Sequence, residues 1–172
     1  MTRWLDFSGA PPILVPLSLV QLWRGAVDAS SGHYADLNTE NPKTDYDRAC
    51  LAAWPGRGLI EVGKGLALVL YTEWDQVSWN PASKIVACGG WWPRLDQFES
   101  AQWTDPLRWS SDCTDYLLMN SAADGLAGLQ PDDFVNVQLP RGECVVEYAQ
   151  IEADYIGGFH RFTLGAFNVH PA

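Results

Sequence analysis

The sequence predicts a β-rich α+β domain, with antiparallel sheets forming a sandwich or partly open barrel and two short helices near the N-terminus. Three observations carry this. Seven or eight short apolar stretches are separated by turns rich in glycine, proline or aspartate. Helical spacing of apolar residues is confined to residues 16–25 and 44–54. In "GECVVEYAQ", Cys144, Val146 and Tyr148 alternate with Glu143, Val145 and Glu147. That period of two describes a strand with one buried face and one acidic, partly wet face.

Taken in order, "ILV" at 13–15 is a short apolar run between prolines and reads as a strand. Pro16 suits the first turn of a helix in which Leu19, Leu22 and Trp23 share an apolar face, and Gly25 is placed to end it. Residues 28–43 form a polar loop. "TDYDRACLAAWPG" has the look of a catalytic cluster, yet each residue has a structural task. Thr44 and Asp47 stand three apart as in a capping box, and Asp45 and Asp47 sit where a helix N-terminus favours negative charge. Tyr46, Ala49 and Cys50 share one face, and Trp54-Pro55-Gly56 ends the run. The cluster starts a helix.

Beyond Gly58, "LIEVGKGLALVLY" reads as two strands joined by a hairpin at Gly63-Lys64-Gly65. "SKIVACGG" is another strand, and "WWPRLDQFESAQWTDPLRWSSDC" reads as a long structured loop. "YLLMNSAADG" is a strand ending in an Asp-Gly turn, two strands follow around Pro140-Arg141-Gly142, and "GFHRFTLGAF" closes the sheet. No internal repeat or linker interrupts the chain, so residues 1–172 are expected to be one domain.

At this length a chain buries about 70% of the surface it exposes when unfolded. With 47% hydrophobic and only 19% charged residues, it has the composition of a folded protein. The net charge is −10, and residues 110–160 alone carry −8, from nine acids against Arg141. Such a field repels nucleic acid and anionic membranes and draws basic partners. Asp6 and three prolines break the N-terminal apolar run, so no targeting signal is expected there. No apolar stretch approaches the ~20 residues of a membrane span. Cys50, Cys88, Cys113 and Cys144 are scattered, as in reduced thiols of a cytoplasmic protein.

Chemistry-bearing motifs are sparse. His33, His160 and His170 lie far apart, and neither paired Cys-x-x-Cys nor His-x-His spacing offers a metal site. Gly-x-Ser-x-Gly is missing, and "GRGLIEVGKG" lacks the order of a phosphate loop, since Gly65 follows Lys64. Calcium-loop spacing is absent as well. No catalytic residue, metal or cofactor is therefore assigned.

Several stretches together carry a family resemblance. They are "PPILVP" ahead of a helix bearing Trp23-Arg24-Gly25, then Thr44-Asp45-Tyr46-Asp47-Arg48-Ala49-Cys50, "IEVGKGLALVL", "LLMNSAADG" and "VQLPRGECVV". From about Ile13 to Leu164 the chain resembles the immunity protein 21 family of bacterial polymorphic-toxin systems, which has a mostly β fold and a Trp-x-Gly motif. The tryptophan-rich segment at 91–109 departs from that pattern. The resemblance implies a small cytoplasmic, non-catalytic protein without cofactors that binds and neutralises a cognate toxin domain.

On that reading, Asp132, Asp133, Glu143 and Glu147 are expected to face a basic toxin surface, rimmed by His33, Tyr34, Trp91, Trp92, Trp103 and Trp109. Trp23 is expected in the core. Two other classes compete. One is a hydrolase using His160 as acid–base; the other is a sugar- or base-binding module with the loop tryptophans as platform.

Overall fold

The computed structural model describes residues 5–7, 10–54, 57–70, 76–80, 85–88, 104–154 and 161–172. The strands are β1 (Leu5–Asp6), β2 (Pro12–Pro16), β3 (Arg57–Val62), β4 (Gly65–Leu70), β5 (Gln76–Asn80), β6 (Ile85–Cys88), β7 (Thr104–Ser111), β8 (Asp115–Asn120), β9 (Phe134–Gln138), β10 (Gly142–Asp154) and β11 (Arg161–Pro171). They form two antiparallel sheets, ordered β1-β5-β6-β11-β10-β7 and β3-β4-β2-β8-β9, and neither closes into a barrel. A 3₁₀ helix (Leu17–Leu22) and α1 (Asp45–Ala53) complete the β-rich fold.

The centre of the smaller sheet shows why the sequence folds this way. Leu14 pairs with Leu68 on one side and Leu118 on the other, and all three are sealed against the larger sheet beside Val146 and Val169. One residue earlier, Ile13 pairs with Val69 and Met119, and that row faces the helices with Trp23, Ala49 and Ala53. A strand covered on both faces has no use for alternation, so "ILV" is apolar throughout. Pro12 and Pro16 mark its ends, outside the two residues that pair with β4.

Four details correct the sequence reading. Residues 17–22 wind as a 3₁₀ helix, whose three-residue period buries Val20 and Trp23 and leaves Leu22 about half exposed. Residues 104–111, read as loop, form β7. Among the described residues it pairs only with β10, and between the partners Val146↔Leu107 and Tyr148↔Thr104 it carries one extra residue. Pro106 therefore lies in a bulge on an edge strand, where a missing N–H does no harm. β5 was not anticipated at all. Finally, the two strands around Pro140-Arg141-Gly142 do not pair with each other. β9 belongs to the smaller sheet and β10 to the larger, so the chain changes sheets there.

The β3–β4 hairpin forms as expected, with Val62 opposite Gly65 across the two-residue loop Gly63-Lys64. Gly63 takes φ +60, which a hairpin of this length requires. Among the described residues no helix is long and apolar enough to cross a membrane.

Candidate functional site

The residues that looked most like a site form a structural joint. Thr44 accepts the Asp47 N–H at 3.0 Å, and Asp47 accepts the Thr44 N–H at 3.0 Å, which is the expected capping box. Asp47 does more than cap. Its carboxylate, 1% exposed, also accepts the N–H groups of Asn38 (2.8 Å) and Lys43 (2.9 Å), tying the end of the polar loop to the helix. Burial pushes its pKa up, but these hydrogen bonds to the ionised form outweigh burial and hold the carboxyl below its usual value.

Asp45 accepts the Arg24 N–H at 2.7 Å and pairs with Arg48, whose other nitrogen donates to the Glu61 carbonyl at 3.2 Å. The Tyr46 N–H donates to the Gly25 carbonyl at 2.9 Å. Trp23 is fully buried and donates its indole N–H to the Ser121 carbonyl. Gly25 has φ +54, and a Cβ there would lie 2.3 Å from the carbonyl oxygens of Ala122 and Ala123. The Trp-Arg-Gly and Thr-Asp-Tyr-Asp-Arg stretches thus meet in space. They dock one helix start on one turn, and Tyr46 is half-buried there, its phenol pushed up to about 12 by burial and the neighbouring Cys50.

Of the residues expected to contact a partner, those that the structure describes are not gathered on one surface. β9 separates Asp132 and Asp133 from the crossing at 140–142 by five residues, about 16 Å of strand. They lie beside Phe134, which pairs with Met119, whereas Glu143 lies at the end where Asp115 pairs with Gln138. Asp133 is also engaged, accepting the Gln130 N–H at 2.8 Å. Glu147 is half-buried and meets His170 Nε2 at 3.0 Å across the β10–β11 ladder. His33 and Tyr34 are exposed on the tip of the polar loop, Tyr34 at 70%. Trp109 is no rim residue: it is 2% exposed and packs edge-on against Tyr116, with ring centroids 5.3 Å apart. The phase of β7 turns it inward beside Cys144, its partner on β10. Trp91, Trp92, Trp103 and His160 lie outside the described residues.

A different cluster emerges where the two sheets part at one end. The β3–β4 tip and the β7–β8 turn face each other across a cleft of about 640 Å³. Glu61, Lys64 and Leu66 lie on the hairpin side, with Trp109, Asp112 and Tyr116 opposite and the start of the 3₁₀ helix between. Glu61, Lys64 and Asp112 are exposed, as are Asp115, Arg141 and Glu143 at the same end. With Arg108, exposed on β7 two residues from the Glu143 partner Ser110, four acids face three bases. Asp115 is held from two sides, by the Gln138 amide at 2.7 Å and the Thr114 hydroxyl at 2.9 Å.

Beneath the cleft, buried Ser111 Oγ lies 2.6 Å from the Cys113 carbonyl and 2.7 Å from the Tyr116 hydroxyl. The Ser111 proton goes to the carbonyl, so Tyr116 must donate to Ser111. Burial raises the Tyr116 pKa above its ordinary value, the Ser111 bond opposing and the neighbouring Cys113 side chain adding to it. No local motif signals this cleft, because its walls come from two turns some fifty residues apart. Among the described residues no three His, Cys, Asp or Glu side chains converge as a metal site. Comparison with protein-family models, with curated proteins and with solved structures finds no match to this chain.

Proposed function

We propose that this protein is a non-catalytic, cytoplasmic immunity-type protein that binds and neutralises a bacterial toxin domain with a basic surface. The observation that carries the reading is the acidic end of the sandwich, where Asp112, Asp115, Glu143 and Glu61 stand exposed against Lys64, Arg108 and Arg141. Carboxylates on strand ends and turns meet a basic surface with little backbone reordering, and a net negative field raises the association rate. The resemblance to immunity protein 21 supports the same reading, with Asp112, Asp115 and Glu143 as partner-facing acids.

The test is co-expression. The C-terminal domain of a large secreted protein encoded beside this gene is induced in bacteria with and without this chain, and survivors are counted. Rescue with co-purification is expected. In a purified pair, Asp115→Lys with Glu143→Lys should slow association about tenfold or more at low salt and flatten its salt dependence. A toxic neighbour that is neither bound nor neutralised would overturn the reading.

A further inference from the structure

We propose that the cleft between the β3–β4 tip and the β7–β8 turn takes one cationic side chain, an arginine or lysine, from the basic partner. This rests on the partner-binding reading above and names the contact that anchors it. The volume of about 640 Å³ falls within the range of roughly 300–1,000 Å³ typical of ligand-sized sites. Leu66, Trp109 and Tyr116 line its inner part, where the methylene stem of a long side chain finds apolar and aromatic surface.

The polar groups suit a head that only donates. Glu61 and Asp112 offer carboxylates from opposite walls of the cleft. A guanidinium has donors only. Lys64 is the one cation in the lining, and no ion pair ties it down among the described residues. Its presence sets the sign of the test. If the ligand group is a cation, Lys64 opposes it; if the ligand group is an anion, Lys64 is its anchor.

The test titrates the isotope-labelled full chain at low ionic strength with N-acetyl-L-argininamide, and separately with its neutral isostere N-acetyl-L-citrullinamide, followed by amide NMR shifts. Saturable shifts at Lys64, Gly65, Asp112 and Cys113 are expected with the cation, and weaker ones with the isostere. Glu61→Gln and Asp112→Asn should each weaken binding about two- to fivefold, and Lys64→Gln should strengthen it by a similar factor, as for exposed ion pairs. All three side chains are exposed, so the fold tolerates these changes, and an otherwise unchanged amide spectrum checks it.

Equal binding of the two probes, or weaker binding in Lys64→Gln, overturns the proposal. So does rescue by the wild-type chain with undiminished toxin affinity in the Glu61→Gln/Asp112→Asn variant, an outcome that leaves the immunity reading standing. Failure of the wild type to rescue, with argininamide still entering the cleft, removes the immunity reading instead.

Discussion

Asp47 carries more stability than its place in a helix cap implies, and Asp47→Ala measures the excess. An ordinary N-cap truncation such as Thr44→Ala costs about 1 kcal/mol. Asp47→Ala removes the acceptor for three backbone N–H groups, those of Asn38, Lys43 and Thr44, from a carboxylate only 1% exposed. Hydrogen bonds to charged groups contribute about 1.5–3 kcal/mol each, and water reaching the loop amides returns part of that, so the expected loss is about 3–5 kcal/mol. At about 2–4 °C per kcal/mol, Tm should fall on the order of 10 °C. Asp47→Asn should do little better, because its amide turns a donor toward donors.

The pH dependence follows from the same contacts. The folded-state pKa is lowered, so the stabilisation is present in full above the ordinary carboxylate range and is lost as pH falls through the lowered folded value. Urea unfolding followed by circular dichroism at pH 7 and at successively lower pH reads both effects. The gap between wild type and Asp47→Ala should narrow below about pH 4. A cost no larger than that of Thr44→Ala, or a gap that stays constant into acid, would refute the reasoning.

Three further outcomes are expected. Gly25→Ala should cost about 3 kcal/mol, since it combines φ +54 with carbonyl oxygens 2.3 Å from the new Cβ. Gly128→Ala, at φ +80 in open space, should cost only about 1 kcal/mol, and comparing their Tm values isolates the close approach. Trp109→Ala should cost about 3–5 kcal/mol, measured by denaturant unfolding, because it empties a core position and strips Tyr116 of its ring contact. Iodoacetamide at pH 8 should label Cys113 well before Cys144, as mapped by mass spectrometry. Cys113 is half-exposed, whereas Cys144 is buried and its burial raises the thiol pKa, which reduces the reactive thiolate.

The strands that were legible are those whose neighbours in sequence are also neighbours in space. The β3–β4 hairpin is announced by glycines at its own turn, and β10 by alternation along its own length. β7 was not legible because its proline and charges mean loop only until β10 is known to lie on one side of it and, among the described residues, no strand on the other. The change of sheet at 140–142 was hidden for the same reason, since a Pro-Arg-Gly turn serves a hairpin or a crossing equally well.

The site illustrates the same physics with the sign reversed. A helix N-terminus leaves several N–H groups unsatisfied within one turn, so the polar residues that satisfy them crowd into one short stretch, here 44–48. Density of polar residues in sequence therefore marks local backbone need. The proposed binding surface is built otherwise: each strand end or turn contributes one or two side chains, Glu61 and Lys64, Asp112 and Asp115, and Glu143 coming from three separate segments. Each pair alone reads as ordinary solvated charge. Only the register that sets Tyr116 opposite Pro16, and Gly142 opposite Ser111, brings those ends together. On this architecture the most catalytic-looking stretch is scaffold, and the exposed charges that cluster in space come from turns that look ordinary in sequence.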